Sequence, residues 1–580
     1  MRIIYNEKYP LIDSNMSDGQ MGGRKGKGCR NNIFIINGLI HDILSSKHKK
    51  PAIFQIYDYS QMFDSINLQQ AISDIYEAGL TDVNLSLIYQ ANKEIFMAVN
   101  TPGGLSDRQT IENIVLQGDT WGSLLASVQV DSIAQECAET GLGYKYKNIL
   151  PVGMLGLVDD TIGITKAGYK THMFNTFFNI KTAEKGLQFG ANKCKSMLVG
   201  RNVENILDST MCVDKWNVEH VEDKQTGDTQ LVETFAGQVD IAKCSEQKYL
   251  GFIISSSGDI MANIRSLKNK SIGIIKKIFT ELNSLHLQKY YFECGVMFLH
   301  IMLRSSILYA CETYYNLKEN EMRQIERIEE TYMRQLLKTR KGCPIKQMYL
   351  ELGFYPARFD IYKLRLFFLK DILNQNQDSM MLKFLQLQVD NPVKGDWAST
   401  CSKNLKDLNI NLSFEDIKGM SAYKYKQLVK LKCKESSFNY LMKKRGSKGI
   451  EINYPGLEMA AYLQPNNVFT IDDQQKIFEI RNKLSDIPSN FCKKENNKSK
   501  CVCSEIETME HIYSCYILNK ETPDIEYEKV YSDKLYEQKV ILERFEANFN
   551  KRKEYLNKED SPHVILDDPL LSTLLDYSTG

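Results

Sequence analysis

The chain has 580 residues, 43% of them hydrophobic, and its 73 basic residues nearly balance its 72 acidic ones to give a net charge of +1. This length suffices for three or four domains with buried cores, while so small a charge excludes nucleic-acid binding through an overall positive field. The 14 cysteines show no repeating spacing, which excludes a disulfide-rich secreted scaffold and indicates reduced thiols.

The first local feature is Gly22–Arg30, where glycines alternate with cations. Backbone amides and basic side chains in such a segment can meet phosphates, although a solvated loop explains the same pattern. The next stretch, Asn31–Ser45, carries a broad apolar face at helical spacing and predicts a helix.

Two later segments each end an apolar run in carboxylates. Ile53–Ile56 leads to Asp58, and Leu155–Val158 leads to the adjacent pair Asp159 and Asp160. Two neighbouring strands of a small sheet would bring these three side chains together. Their hard oxygen donors suit Mg²⁺, and two such ions about 4 Å apart can support nucleotidyl transfer. An isolated Asp-Asp pair is more often a solvated turn, so the surrounding segments matter.

Three further segments follow in chain order: Gln117–Ser123, with the sequence QGDTWGS, Gly190–Lys195, with GANKCK, and Lys248–Ile254, with KYLGFII. The polar stretch Asn217–Lys243 between the last two predicts an inserted hairpin. Beyond this stretch the apolar residues recur at helical spacing, which predicts one helix from Asn263 onward.

A second amphipathic helix is predicted from about Glu319 to Leu337. Between the two helices lies Arg304–Thr313, which we also interpret as helical. The region Val296–Ala310 is apolar but contains His300 and Arg304 and is too short to span a bilayer. Because no signal peptide precedes it, we expect a cytoplasmic and nuclear protein without a membrane segment.

The last cluster is Cys501, Cys503, His511 and Cys515. Four soft ligands at this spacing can form a closed tetrahedral Zn²⁺ site, with Cys492 as a substitute ligand. Only one residue separates the first two cysteines, which is tighter than the common spacing. Reduced buried thiols are the alternative.

Five segments together resemble the catalytic motifs of the reverse transcriptases of non-LTR (LINE-type) retrotransposons. They are Tyr57–Asn67, Gln117–Ser123, Leu157–Asp160, Gly190–Lys195 and Lys248–Ile254. The resemblance runs nearly end to end. It includes Arg304–Thr313, which is similar to the "LYG-x-E" helix of the LINE thumb, and the cysteine-histidine cluster, which resembles the C-terminal knuckle. Leu157 and Val158 depart from the family, since many relatives have an aromatic and a small residue there.

The resemblance implies roles for the aspartates. Asp58 and Asp159 would each hold both Mg²⁺ ions, and Asp160 would lie slightly apart and orient the site. Phe63 would lie under the incoming sugar and exclude a 2′-hydroxyl, the group that separates RNA from DNA substrates. Ordinary core packing is the alternative for this ring.

The resemblance also implies nucleotide-binding residues. Four of them lie in the first two motifs: Tyr59, Ser60, Gln117 and Gly118. Lys193 would stabilise the leaving pyrophosphate, where charge develops in the transition state, and Lys195 is an equal candidate.

The expected fold class is α+β. It consists of a right-hand polymerase palm at 51–258, built as an antiparallel sheet with packed helices, behind a fingers remnant at 1–50. A helical thumb follows at 259–390, and a mostly helical C-terminal region at 391–580 carries the knuckle at 501–515. The sequence opens at a segment similar to the end of the fingers, so we expect an N-terminally truncated copy without an endonuclease.

The expected function is RNA-directed DNA synthesis, with an RNA template, a DNA primer or target and dNTPs as partners. Two Mg²⁺ ions are the expected cofactors, with Zn²⁺ at the knuckle. The alternative is a catalytically impaired retrotransposon remnant that only binds RNA or DNA, because positioning of the triphosphate would suffer from incomplete fingers.

Overall fold

The computed structural model describes residues 2–45, 51–112, 121–200, 212–222, 229–284, 288–315, 317–339, 343–443, 454, 456–482, 501, 503, 505, 508–515, 518–519 and 525–558. These residues form a helix-rich mixture of helices and strands with one small sheet, which confirms the mixed fold class. Within the same ranges, no helix combines the length and the apolarity that a bilayer crossing needs.

The chain forms two compact units, each assembled from three stretches. The first unit comprises Met1–Ile274, Leu303–Ile328 and Pro356–Ser437. The second comprises Ile275–Met302, Glu329–Tyr355 and Phe438–Gly580. The sequence prediction used four consecutive segments instead, and the assignment of fingers, palm and thumb to them stays a prediction.

All strands of the described residues belong to the first unit. They are β1 Ala52–Tyr57, β2 Glu94–Met97, β3 Asn100–Thr101, β4 Gly104–Leu105, β5 Gln109–Glu112, β6 Tyr144–Tyr146, β7 Leu150–Val152, β8 Met154–Leu157, β9 Asp160–Lys166, β10 Lys195–Val199, β11 Cys212–Glu222, β12 Thr229–Asp240, β13 Ala242–Lys243, β14 Glu246–Tyr249 and β15 Phe252–Ser255.

Five strands form the sheet in the order β13-β10-β1-β9-β8. The central strand β1 is antiparallel to both β9 and β10, and all six of its residues are buried. An apolar run without alternation is what a strand covered on both faces requires. The other strands pair as hairpins, and β11 with β12 confirms the predicted insertion.

Twenty α-helices are described: α1 Arg2–Asn15, α2 Cys29–Ser45, α3 Met62–Ser65, α4 Leu68–Glu77, α5 Asp82–Lys93, α6 Gly122–Glu139, α7 Tyr169–Glu184, α8 Met261–Ser284, α9 Tyr291–Phe298, α10 Ser305–Ile307, α11 Glu319–Leu336, α12 Ile345–Leu352, α13 Ala357–Leu373, α14 Met380–Asp390, α15 Trp397–Asp407, α16 Phe414–Gly419, α17 Ala422–Met442, α18 Ile471–Arg481, α19 Met509–Ser514 and α20 Leu535–Lys558. The helices predicted from Asn31, Asn263 and Glu319 are confirmed as α2, α8 and α11.

Helix α6 packs against α4, α7 and strand β8, and α7 packs against β9. Their core includes the fully buried rings of Tyr57, Trp121, Phe174 and Phe178, with the Tyr57 and Phe178 ring centroids 4.4 Å apart. Each ring of this size contributes roughly 1.5–3 kcal/mol when it leaves water. This packing fixes the end of β1, from which the first candidate catalytic residue projects.

Helix α2 joins the N-terminal stretch of the first unit to its later helices. The ring of Phe34 meets Phe368, Phe384 and Trp397 edge to face, at centroid distances of 5.5, 5.6 and 4.9 Å. Such aromatic pairs add about 0.5–1.5 kcal/mol each beyond burial. The first unit therefore depends on residues far apart in the sequence.

The predicted helix over Arg304–Thr313 needs correction. A π-helical turn, Leu299–Arg304, is followed by the three residues of α10 and then by a 3₁₀ turn, Cys311–Thr313. The break lies at Ala310, whose φ of +55° is left-handed. An L-residue with a side chain costs about 1–2 kcal/mol there, and a helix cannot continue through it.

The second unit is helical and contains a buried ion pair. Arg481 Nε lies 3.0 Å from a carboxylate oxygen of Glu351, which is 0% exposed and also accepts a 2.7 Å hydrogen bond from the Tyr454 hydroxyl. Removing one partner of such a pair typically costs about 3–5 kcal/mol, so the pair ties α12 to α18.

Candidate active site

The three aspartates come together at one edge of the sheet. Tyr57 at the end of β1 pairs with Thr161 of β9, so Asp58 follows beside the start of β9. Leu157 pairs with Asp160, which closes a two-residue turn at Val158 and Asp159. Adjacent antiparallel strands thereby carry all three carboxylates toward the same end of the sheet.

The pKa of Asp160 depends on the two neighbouring carboxylates. The pKa of Asp160 is raised above the usual carboxyl value, first by partial burial and then by the negative charges of Asp159 and Asp58. Like charges disfavour ionisation of a neighbour at short range. The site is therefore a cluster of mutually repelling carboxylates.

The residues present fit a divalent metal. Three carboxylates supply the hard oxygen donors that Mg²⁺ prefers, and a bound cation would relieve the repulsion that raises the pKa of Asp160. In the ranges that the structure describes, the one group whose ligand atoms all lie within 4.8 Å of one another is elsewhere, in the second unit.

Asp58 is held from its other side by the segment that precedes β10. Its backbone carbonyl accepts a 2.8 Å hydrogen bond from Gly190 N–H, and its own N–H points at the Cys194 sulfur, 3.5 Å away. Ser60 N–H donates to the carbonyl of Gln188 at 2.8 Å. The lysine segment is thus attached directly to the first aspartate.

Of the two candidate lysines, Lys193 reaches the cluster. Its Nζ lies 3.3 Å from Asp58 Oδ1, with the lysine side chain 71% exposed. An exposed pair of this kind contributes at most about 1 kcal/mol, so Lys193 stays free to move toward a substrate. Lys195 instead donates to the Asn192 carbonyl at 3.3 Å.

The predicted nucleotide-binding residues divide into three groups. Ser60 is exposed and Phe63 is half-buried, with Phe63 packed against the core from α3. Tyr59 is 6% exposed and stacks on Phe189 at 5.4 Å, and burial raises its pKa. Its side chain therefore belongs to the core in this structure, and a nucleotide contact at Tyr59 stays a prediction. Gln117 and Gly118 lie outside the described residues.

The turn has two further contacts that the sequence did not suggest. Gln20 Oε1 accepts hydrogen bonds from Val158 N–H at 3.1 Å and from Gly22 N–H at 2.8 Å. The Tyr249 hydroxyl donates to the Asp160 carbonyl at 3.2 Å. The signals available were the glycines around Gln20 and the tyrosine of the "YLG" segment, but neither pattern identifies its partner.

The basic segment Gly22–Arg30 is less available to phosphates than expected. Arg24 is 6% exposed and forms an ion pair with Asp13 at 2.6 Å. Lys27 pairs with Asp18 at 2.7 Å and Arg30 with Asp371 at 3.1 Å. Acids within the first unit therefore neutralise these three cations.

In the second unit, the predicted zinc ligands do come together. Cys501 Sγ lies 3.7 Å from Cys515 Sγ, and Cys503 Sγ lies 3.1 Å from His511 Nε2. All four ligand atoms are within 4.8 Å of one another. Burial, with a further contribution from the Cys515 thiol, raises the pKa of Cys501 to about 12. Three sulfurs and one imidazole are a donor set typical of structural Zn²⁺.

Helix α19 positions His511 in this cluster. Thr508 caps the helix by accepting a 3.0 Å hydrogen bond from His511 N–H, and Asn548 of α20 donates to the carbonyls of Ile512 and Tyr513 at 2.9 and 3.0 Å. Capping by threonine typically contributes about 1 kcal/mol. The histidine therefore lies on a short helix fixed at both ends.

Comparisons with solved structures give distant fold matches to telomerases. Apo telomerase from Candida tropicalis matches with a TM-score of 0.32 and 10% identity, over 74% of this chain and 60% of that one. Telomerase from Candida albicans in complex with the TWJ fragment of telomeric RNA matches with a TM-score of 0.29 and 10% identity, over 71% and 56%. This chain therefore spans little more than half the length of those proteins.

Sequence comparison is more specific. No curated protein sequence matches the chain. Residues 2–254 match the family described as reverse transcriptase (RNA-dependent DNA polymerase), and this range contains the sheet, the three aspartates and the lysine segment. The chain is thus similar to reverse transcriptases over residues 2–254.

Proposed function

We propose that this protein is the reverse transcriptase of a non-LTR retrotransposon and extends a DNA primer with dNTPs on an RNA template. The observation that carries the proposal is the convergence of Asp58, Asp159 and Asp160 on adjacent strands. The order of the surrounding motifs, which resembles that of LINE-type enzymes, supports the retrotransposon context.

The aspartates would hold the metal. Asp58 and Asp159 would hold the Mg²⁺ ions, and Asp160 would orient the turn beside them. When bound, the ions supply charge stabilisation and an activated 3′-hydroxyl. In the reaction, the primer oxygen bonds to the α-phosphorus of the dNTP while the bond to pyrophosphate breaks.

Lys193 is placed to assist the leaving group. Its ammonium lies 3.3 Å from Asp58 Oδ1, so the side chain reaches the cluster while it remains in solvent. A cation there would offset the charge that develops on pyrophosphate in the transition state. Lys195 lies in β10 and bonds its own loop, which favours Lys193 for this role.

RNA binding without catalysis is the second candidate. The Cys501–Cys515 cluster favours it, because this cluster belongs to the second unit and needs none of the three aspartates. Phosphate contacts would make such binding weaken steeply with salt. A protein that binds RNA in this way but extends no primer would fit this candidate instead.

Primer extension on an RNA template with Mg²⁺ tests the first proposal. We expect the wild-type protein to add dNTPs and the Asp159→Asn variant to be at least about 100-fold slower. An amide is a poor ligand for a hard cation, and loss of one electrostatic contact to the transition state typically costs a factor of this size. Asp107→Asn, in the exposed turn after β4, is the matched control and should keep the rate. Extension that survives Asp159→Asn would refute the two-metal assignment.

A further inference from the structure

A short segment before α2 lies along the outer edge of the sheet. Gln20 forms a parallel bridge with Gly156, Met21 N–H donates to the Gly156 carbonyl, and Gly156 N–H donates to the Gly19 carbonyl, both at 2.9 Å. Strand β8 is the last strand in the sheet order. The segment therefore satisfies the backbone of β8 just before the Asp-Asp turn.

Gln20 extends this contact into the turn itself. The residue is 1% exposed, and its Oε1 accepts from Val158 N–H at 3.1 Å and from Gly22 N–H at 2.8 Å. A Cβ at position 22 would lie 2.3 Å from Val158 N, and one at position 156 would lie 2.9 Å from Gln20 Nε2. Only glycines at these two positions leave room for the amide.

The residue that Gln20 holds has an unfavourable backbone. Val158 has a φ of +59°, and a β-branched side chain is a genuine outlier in the left-handed region. Such conformations persist only where neighbouring groups impose them, and they are concentrated at functional sites. Asp159 follows Val158 directly, so the direction of its carboxylate depends on this peptide.

We infer that Gln20 is a positioning residue, which fixes the strained Val158 peptide so that Asp159 and Asp160 face Asp58. The side chain touches no substrate and acts through the backbone of the turn. The inference rests on the proposed function, since the turn matters for catalysis only where it carries metal ligands. Gln20 would thereby link the N-terminal segment of the domain to the proposed metal site.

Two substitutions at one position separate hydrogen bonding from packing. Gln20→Met keeps the volume but removes the accepting oxygen, while Gln20→Glu keeps an oxygen that can accept from both N–H groups. Gln129→Ala is the control, because Gln129 is also buried and its amide donates to the Lys185 carbonyl, away from the turn. Circular dichroism melting of each full-length variant checks that it is folded.

The first readout is hydrogen exchange of residues 154–163, measured by mass spectrometry without metal or substrate. We expect faster exchange in Gln20→Met and wild-type exchange in Gln20→Glu and Gln129→Ala. The second readout is Mn²⁺ affinity by electron paramagnetic resonance. We expect Gln20→Met to weaken it about 10-fold or more, as loss of an outer-shell partner typically does.

A rescue experiment distinguishes positioning from simple loss of stability. Glycine adopts a left-handed φ without penalty, so adding Val158→Gly to Gln20→Met should recover most of the Mn²⁺ affinity. Unchanged exchange and Mn²⁺ affinity in folded Gln20→Met would overturn the inference, as would a double variant no better than the single one. If the Asp159→Asn variant binds Mn²⁺ as tightly as the wild type does, the proposed function is refuted instead. The exchange data then still test the Gln20 hydrogen bond.

Discussion

The aspartate cluster lowers the stability of the folded protein, and Asp160 shows why. Its pKa is raised by partial burial and by the charges of Asp159 and Asp58, so the folded state holds this proton more tightly than the unfolded chain does. Stability therefore falls as pH rises from the ordinary carboxyl value near 4 through the raised one. Once Asp160 is ionised, its repulsion with Asp159 and Asp58 opposes folding.

Asp160→Asn should remove that repulsion. We expect the Tm to rise at pH 7, by at most a few degrees, and the difference from wild type to shrink toward pH 4, because protonation of Asp160 removes the same charge. Thermal melts at both pH values measure this. Asp107→Asn should show no such pH-dependent gain, and a lower Tm for Asp160→Asn at pH 7 would contradict the expectation.

Phe63 is the residue that we propose to select deoxynucleotides. Phe63→Ala should admit ribonucleotides, with the preference for dNTPs reduced about tenfold or more, the scale of one steric contact. Single-nucleotide incorporation with dNTP and rNTP series measures the ratio. Phe177→Ala, a partly buried ring of α7, should leave the preference unchanged. An unaltered ratio in Phe63→Ala would make this ring ordinary core.

At the residue scale, the positions of the carboxylates follow from strand pairing, whereas the surroundings of aromatic and cationic side chains follow from tertiary packing. Asp58 and the Asp159–Asp160 pair follow apolar runs, and strand pairing then brings them together. Tyr59 follows Asp58 directly, yet its ring turns into the core. Arg24 lies in a glycine-rich basic segment, yet Asp13 neutralises it. Which partner a side chain meets depends on tertiary packing, which local composition does not encode.

At the scale of elements, periodicity predicted the long helices and failed where the backbone is irregular. Helices α2, α8 and α11 follow apolar stripes. The π-helical turn and the left-handed Ala310 interrupt a segment whose side chains are compatible with a helix. A left-handed alanine leaves no periodic signal, because its cause is the packing around it.

Two glycines in helices should respond oppositely to the same substitution. A Cβ at Gly38 of α2 would lie 2.4 Å from the Phe384 ring, whereas one at Gly273 of α8 would meet nothing within 4 Å. Gly38→Ala should therefore destabilise the protein by about 1–3 kcal/mol through overpacking. Gly273→Ala should stabilise it by about 1 kcal/mol through helix propensity. Urea unfolding measures both, and changes of equal sign would contradict the packing around α2.

At the scale of the whole molecule, the second unit should depend on zinc. We expect about one Zn²⁺ per chain, as for a closed site of three cysteines and one histidine, and a lower Tm after chelation because metal binding and folding are linked. Atomic absorption and thermal melts measure the two effects.

Cys515→Ser should lose the zinc, while Cys294→Ser should keep it, since Cys294 also lies in the second unit but outside the cluster. Zinc that persists in Cys515→Ser, or wild-type protein without any, would assign the four residues to buried thiol packing. Primer extension should be measured in the same two variants, because the aspartates of the first unit take no part in the cysteine-histidine cluster.

The long-range contacts of the first unit have a consequence for its synthesis on the ribosome. The Arg30–Asp371 hydrogen bond spans 341 residues, and the one from Met380 N–H to Asp18 spans 362. At about 5–20 residues per second, helix α2 emerges roughly 17–70 s before its partners are made. During that interval the part of α2 that Phe368, Phe384 and Trp397 cover in the folded protein is exposed. Nascent chains should therefore require a chaperone, and expression of residues 1–258 alone should yield aggregates.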